Sequence, residues 1–192
     1  MKRNKPQTVF YRRKREGRTN YVKRLHFLLA RKPRLVVRFT NTKIIAQVVS
    51  FETSGDRILV GIDSTQLQKY DWSYSSKNLP AAYLTGVLIG KKGVEKGIKE
   101  VILDAGLITP LHKGKIYAFL RGVLDGGLNV AHGEEKIFPS PSRFKGEHIA
   151  SYLASSPEKE RTSPQFAQYL KKSNKREEIG VLVDKVKGKI LH

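Results

Sequence analysis

Hydrophobic and polar positions alternate along residues 34–63 in the way that β-strands require. Leu35, Val37 and Phe39 alternate with Val36, Arg38 and Thr40, and a second β-rich run at residues 43–49 follows the polar pair Asn41-Thr42. A third such run occupies residues 57–63, after a turn-forming stretch at residues 52–55. The pattern predicts three strands joined by short turns as an antiparallel meander.

After residue 78 the hydrophobic period changes to that of helices. Asn78 is a suitable N-cap, Pro80 suits a first helical turn, and the apolar residues that follow share one helical face: Tyr83, Leu84, Val87 and Leu88. A short apolar run at residues 101–103 predicts a strand parallel to a sheet neighbour, because a helix precedes it. A second helical pattern spans residues 116–124. We therefore predict a single α/β domain with a mixed sheet.

The two ends of the chain have different patterns. Residues 1–19 are basic and lack any period, which predicts an arm that becomes ordered on binding. A helix should follow, capped by Thr19 or Asn20 and closed by Pro33, with one apolar stripe: Tyr21, Leu25, Leu28 and Leu29. We divide the chain into a basic arm and helix (1–33), an α/β domain (34–130), and a linker with a helical extension (131–192).

The helical extension is predicted from three short patterns. They cover residues 147–153, 164–172 and 179–190, and the last has one apolar face: Ile179, Leu182, Val183, Val186 and Ile190. Each segment is too short to be stable alone. We expect these helices to pack on the domain or on a partner.

Composition narrows the possible classes of protein. A chain of 192 residues with 39% hydrophobic residues buries one core. It has no cysteine, which excludes disulfides and thiolate zinc sites. No apolar run has the length of a signal peptide core or a membrane span, so we expect a cytoplasmic protein without a membrane partner.

Positive charge is concentrated at the amino end. Residues 1–43 contain fifteen Lys and Arg residues and one acid, Glu16, for a formal charge of +14 out of the total of +20. Like charges at this density repel one another until anions neutralise them. The distribution predicts a polyanionic partner, and nucleic acid fits better than a membrane because no long apolar stretch accompanies the charge.

RNA recognition combines cations for phosphates with flat rings for unstacked bases. The arm and the helix after it supply both, and the candidate phosphate ligands are Arg3, Arg12, Arg13, Arg15, Arg18 and Arg24. The candidate stacking rings are Phe10, Tyr11 and Tyr21, although Tyr21 fits helix core equally well.

Two further groups of cations are candidate RNA ligands, although each also fits an ordinary structural role. Arg38 and Lys43 flank the Asn41-Thr42 turn, where a hairpin tip would present them to RNA or simply to solvent. Lys113 and Lys115 precede a helix whose N–H groups favour phosphate, but a plain polar helix start explains them as well.

The sequence offers weak alternatives to RNA binding. Asp63 and Asp104 follow apolar strands and Asp125 ends a helix, an arrangement that would suit a Mg²⁺-dependent nuclease if the carboxylates met. Strand-end aspartates more commonly cap turns. A general basic chaperone or DNA-compacting protein is a third possibility. The five histidines are scattered along the chain, so the sequence predicts no metal site and no catalytic site. Residues 86–92 fit helix surface rather than a phosphate-binding loop, and no cofactor is indicated.

Several motifs resemble those of one protein family. They are Tyr11-Arg12-Arg13-Lys14-Arg15-Glu16-Gly17-Arg18-Thr19-Asn20-Tyr21, Val37-Arg38-Phe39-Thr40-Asn41, Ile44-Ile45-Ala46-Gln47, Asn78-Leu79-Pro80-Ala81-Ala82-Tyr83-Leu84-Thr85-Gly86, Leu103-Asp104-Ala105-Gly106-Leu107, Gly122-Val123-Leu124-Asp125-Gly126-Gly127 and Gly146-Glu147-His148-Ile149-Ala150. In this order they resemble the large-subunit ribosomal proteins that hold 5S ribosomal RNA, called L-eighteen in bacteria and archaea and L-five in eukaryotes. The resemblance weakens beyond residue 153.

The resemblance implies a non-catalytic α/β protein on 5S ribosomal RNA in the central protuberance. Its implied partners are 5S ribosomal RNA, large-subunit ribosomal RNA and neighbouring large-subunit proteins, and its implied place is the cytoplasmic ribosome. The long arm and the C-terminal extension resemble archaeal members. The contact set carried over by position is Arg12, Arg13, Lys14, Arg15, Arg18, Arg24, Arg38, Asn41 and Lys43.

Overall fold

The computed structural model describes residues 8–155 and 179–192. Within them, five strands form one sheet in the order β3-β2-β1-β4-β5. The strands are β1 (Arg34–Phe39), β2 (Ile44–Glu52), β3 (Gly55–Asp63), β4 (Glu100–Asp104) and β5 (Asn129–Val130). The prediction of a single α/β domain with a mixed sheet is confirmed.

The strand pairing follows the predicted meander. β1 is antiparallel to β2, with Leu35 opposite Val48, and β2 is antiparallel to β3. β4 lies parallel to β1, as the helical crossover requires. The two-residue strand β5, parallel to β4, was not predicted because so short a run carries no period.

The helices described are α1 (Arg12–Arg15), α2 (Tyr21–Leu29), α3 (Leu79–Glu95), α4 (Lys115–Asp125), α5 (Pro141–Lys145), α6 (Glu147–Ser155) and α7 (Ile179–Leu191). Short 3₁₀ segments occupy Ser64–Tyr70 and Glu135–Ile137. As predicted, the Asn78 side chain caps α3 by accepting a hydrogen bond of 2.8 Å from the Ala81 N–H, and Pro80 lies in the first turn. The predicted helix at residues 164–172 lies outside the described residues.

The core lies between one face of the sheet and a layer of helices. α3 packs on β2 and β3, while α4 and α7 pack against α3. α7 buries four of its five predicted apolar residues, namely Ile179, Val183, Val186 and Ile190. With neighbours around it, α3 is buried on almost every side from residue 79 to residue 90. The opposite face of the sheet carries Arg34 of β1, which is buried beneath ion-pair partners.

Two predictions about local structure are wrong. Residues 12–15 of the arm form the helical turn α1 rather than an unstructured segment. The predicted apolar stripe of α2 is not buried: Leu29 is 71% exposed, and it is Arg24 of this helix that reaches Asp56 on β3. Apart from these two predictions, the rings of Trp72 and Tyr74, in the loop before α3, are buried in the core.

Among the residues that the structure describes, no helix combines the length and the apolar character needed to cross a bilayer.

Candidate nucleic-acid interface

The cations of α1 are presented to solvent. All four residues of this helix, Arg12 to Arg15, are exposed, and the arm folds back toward α2. The Tyr11 and Tyr21 rings meet at 5.2 Å between centroids, and Arg13 Nε donates a hydrogen bond of 2.9 Å to Thr19 Oγ1. The candidate Arg3 lies outside the described residues. The arm is therefore a compact basic projection from residue 11 onward.

Exposed aromatic rings accompany these cations. Phe10 and Tyr11 are exposed, and Lys14 Nζ lies 3.8 Å from the centroid of the Phe10 ring. Tyr21, for which the sequence allowed either stacking or core packing, is half-buried against Tyr11. Rings beside ammonium and guanidinium groups form the kind of surface on which unpaired bases stack.

Glu16 holds two of the arm arginines weakly. Its carboxylate lies 3.2 Å from Arg18 Nε and 3.7 Å from Arg12 Nε. Both arginine side chains are more than two-thirds exposed, so water screens these ion pairs and they contribute little to stability. Phosphate oxygens can replace the carboxylate at small cost.

Beneath the arm, three arginines and two aspartates form a continuous ion-pair network, here called the arginine–aspartate network. Arg24 Nη2 on α2 lies 3.0 Å from both carboxylate oxygens of Asp56 at the start of β3. Asp56 also accepts a 2.6 Å hydrogen bond from Arg34 on β1. Arg34 donates at 3.1 Å to Asp104 at the end of β4, and Asp104 accepts from Arg38 at 3.2 Å.

Arg34 is the centre of this network and was not predicted as a site residue. Its side chain is only 6% exposed, and both neighbouring carboxylates contact it. A buried arginine needs such partners because desolvation of an unpaired charge is costly. Strand alternation places Arg34 on the same face as Arg38, opposite the core residues Leu35 and Val37, and this was the available signal.

The turn after β4 fits around Arg38. Asp104 Oδ1 accepts a hydrogen bond of 2.8 Å from the Gly106 N–H, and Gly106 has a positive φ of 71°. A Cβ on Gly106 would lie 3.0 Å from Arg38 Cζ. Glycine thus permits both the turn and the close approach of the guanidinium group.

A cleft of about 750 Å³ opens between α2, the arm and the turn after β4. Its lining contains six cationic and two acidic side chains, with two aromatic rings. These residues are Arg13, Arg18, Lys23, Arg24, Arg34, Arg38, Asp56, Asp104, Tyr21 and Phe27. The predicted candidates Arg13, Arg18, Arg24 and Arg38 are brought together here.

The other candidates lie outside this lining. Asn41 is exposed in the hairpin turn, and Lys43 Nζ donates a hydrogen bond of 2.8 Å to Asp63. Lys113 and Lys115 are exposed beside the start of α4, where the Lys113 N–H donates to the Ile137 carbonyl. The geometry therefore gives one assembled cluster and two separate cationic positions.

Comparison with known proteins gives matches along most of the chain. Residues 5–99 match the family described as ribosomal large subunit proteins 60S L5 and 50S L18. The chain is 45% identical over 172 residues to large ribosomal subunit protein uL18 of Korarchaeum cryptofilum (strain OPF8), covering 90% of this chain and 88% of that protein. The chain belongs to this family. It is therefore a ribosomal protein of the large subunit, located in the cytoplasmic ribosome.

The carboxylates proposed for a nuclease have other partners in this member of the family. Asp63 accepts hydrogen bonds from Lys43 and Thr65, which lower its pKa, Lys43 having the largest effect. Asp104 is held by two arginines, and Asp125 by Tyr83 and Lys187. No group of three or more potential metal ligands is gathered within residues 8–155 and 179–192. The aspartates act as separate anchors for cations.

Proposed function

We propose that this ribosomal protein binds 5S ribosomal RNA and helps to anchor it in the central protuberance, without catalysing a reaction. The observation that carries the proposal is the exposed basic and aromatic surface of the arm, which continues into a cleft with six cations. Family membership supports a structural role in the large subunit. Large-subunit ribosomal RNA and neighbouring ribosomal proteins are the additional partners.

In this proposal the arm neutralises phosphates while its rings stack on unpaired bases. The exposed side chains of Arg12, Arg13 and Arg15 meet the RNA backbone without first leaving a buried partner. Phe10 and Tyr11 supply the stacking surface. Arg18 exchanges its exposed ion pair with Glu16 for phosphate oxygens.

The cations nearer the sheet act in a more fixed way. Arg24, Arg38 and Lys43 are each held by a carboxylate and remain partly exposed. A guanidinium group has five N–H donors, so an ion pair with aspartate leaves others for phosphate. Asn41, Lys113 and Lys115 complete the proposed contact set as exposed positions.

Binding of the purified protein to 5S ribosomal RNA in the presence of Mg²⁺ tests the proposal. We expect tighter binding to 5S ribosomal RNA than to an unrelated structured RNA of equal length, and no cleavage. If six to ten phosphates are contacted, affinity should fall about a thousandfold or more between about 50 and 200 mM salt.

Other outcomes point to other functions. Equal affinity for every duplex would indicate a general basic chaperone or DNA-compacting protein and contradict the proposal. Cleavage of the RNA that Asp63→Asn abolishes would indicate a nuclease. Selective binding without cleavage would support the scaffold.

A further inference from the structure

The cleft differs from the exposed arm because its arginines are fixed in advance. Arg24 contacts both oxygens of Asp56, and Arg38 donates to both the side chain and the carbonyl oxygen of Asp104. Arg34 links the two carboxylates from below. Side chains that are already ordered lose less conformational entropy when a ligand binds.

The accessible donors of this network face the cleft. The side chains of Arg24 and Arg38 are 33% and 42% exposed, whereas that of Arg34 is 6% exposed. Both outer arginines line the cleft together with Arg13, Arg18 and Lys23 from the arm and α2. The buried arginine thus supports two outer ones that remain able to bind an anion.

We propose that the cleft binds an unpaired, phosphate-bearing segment of RNA, and that Asp56 and Asp104 are positioning residues that hold its arginines in place. This inference rests on the proposed RNA-binding function and assigns part of it to a defined site. The six cations outweigh the two acids, so the lining favours a polyanion.

The shape and the rings favour an unpaired segment over a duplex. A volume of about 750 Å³ is in the range of pockets that enclose a single small ligand, so the cleft has room for an unpaired nucleotide. Tyr21 and Phe27 line the same space and offer ring surface to a base that has left its stack. A duplex would contact only the rim.

If the aspartates position the arginines, removing their charge should change RNA affinity in the direction opposite to that expected from net charge alone. Asp104→Asn and Asp56→Asn each remove a negative charge from an RNA-binding surface, which by electrostatics alone strengthens binding. If the carboxylates position arginines, each substitution instead weakens binding to 5S ribosomal RNA, by roughly fivefold to tenfold. Asp184→Asn is the matched control, because Asp184 on α7 pairs with Lys145 away from the cleft lining. It should bind equally well or more tightly.

A second pair of variants leaves the network intact. Ile108→Glu adds a negative charge to the cleft wall at a residue that is 45% exposed, and Val94→Glu adds one on α3 at a residue that is 47% exposed. We expect Ile108→Glu to weaken binding by at least about fivefold relative to Val94→Glu. Thermal unfolding of every full-length variant shows whether the fold is retained. If an aspartate variant does not fold, this second pair still tests whether RNA occupies the cleft.

The results separate this inference from the proposed function. If the folded aspartate variants bind as tightly as the native protein, or more tightly, the carboxylates do not position the arginines. If Ile108→Glu binds like Val94→Glu, the cleft is not occupied by RNA. In both cases, selective binding of the native protein to 5S ribosomal RNA would still support the proposed function. If the native protein shows no such selectivity, the proposed function itself is contradicted.

Discussion

Gly86 of α3 and Gly122 of α4 lie in direct backbone contact. A Cβ built on Gly86 would lie 3.0 Å from Gly122 Cα and 2.1 Å from the Phe119 carbonyl oxygen. Gly90, one turn further along α3, and Gly126, directly after α4, repeat the arrangement. Because backbone atoms provide these contacts, no side-chain rotation can relieve an added methyl group. The two helices therefore pack at a distance that only glycine permits.

Alanine at this contact should destabilise the fold strongly. We expect Gly86→Ala or Gly122→Ala to lower the free energy of unfolding by at least about 2 kcal/mol, because the helices must separate to admit the methyl group. Urea unfolding followed by circular dichroism measures the change. Gly188→Ala on α7 is the control, since a Cβ there meets nothing within 4 Å, and it should raise stability by up to about 1 kcal/mol. Equal effects at the two sites would contradict the close packing.

This contact shows where sequence reasoning stops. The helical period predicted α3 and α4 correctly, but the interpretation of residues 86–92 as helix surface is wrong, because Gly86 and Gly90 are buried. Periodicity describes one helix and carries no information on which other helix covers it. The same lack of information about neighbours explains the wrong prediction for α2. Its apolar residues predicted a buried stripe, but the ion pair of Arg24 with Asp56 determines which face of the helix meets the sheet.

The candidate interface was predictable in its chemistry and not in its geometry. Charge and aromatic content along residues 10–24 are sufficient to predict an RNA-binding arm. Asp56 and Arg34 were missed because their importance depends on contacts with residues 22 to 70 positions away along the chain. Long-range ion pairs arise from strand order, which places β4 beside β1.

Tyr83 links three helices through one carboxylate. Its hydroxyl donates a 2.5 Å hydrogen bond to Asp125, which also accepts from Lys187 on α7 at 3.0 Å. Burial, followed by the effect of Asp125, raises the pKa of Tyr83, so the hydroxyl remains protonated. Tyr83→Phe should cost about 1–2 kcal/mol of stability, because Asp125 loses a donor. Tyr117→Phe, in another partly buried ring, should cost less in the same thermal unfolding assay, and a reversed order would contradict this role.

The Asp63–Lys43 pair should make stability depend on acid pH. The Lys43 hydrogen bond is the largest cause of the lowered pKa of Asp63, which therefore lies below the ordinary 3.8. The contribution of this pair is complete above pH 3.8 and is lost as the pH falls through the folded-state value. Asp63→Asn should be less stable than the native protein at neutral pH. The difference in unfolding free energy between the two proteins should become smaller in acid, where the native carboxylate is protonated.

Urea midpoints measured from neutral pH to below pH 3.8 test this expectation. Glu134→Gln serves as the control, because its carboxylate is 80% exposed and lies 3.7 Å from Lys136 in a screened ion pair. The urea midpoint of Glu134→Gln should stay close to that of the native protein over the whole pH range. An Asp63→Asn difference that does not change with pH would show that the Lys43 pair is not the source of acid sensitivity.

The arm should dominate the salt dependence of RNA binding. Replacing Arg12, Arg13, Lys14 and Arg15 with Ala removes four exposed cations without disturbing a buried contact, so the fold should be retained. Each lost phosphate contact lowers the slope of log K against log salt by roughly 0.7 to 0.9. We therefore expect weaker binding to 5S ribosomal RNA and a flatter salt dependence, measured by filter binding from about 50 to 200 mM salt.

A second quadruple variant separates location from total charge. It removes the same four charges at exposed lysines outside the arm and the cleft lining: Lys69, Lys99, Lys136 and Lys185. Long-range attraction depends on net charge, whereas counterion release depends on phosphates that are actually contacted. The salt slope should therefore stay near the native value in this variant and fall only in the arm variant. If both variants lose slope equally, the arm contributes through its charge alone, and its side chains do not meet the RNA backbone.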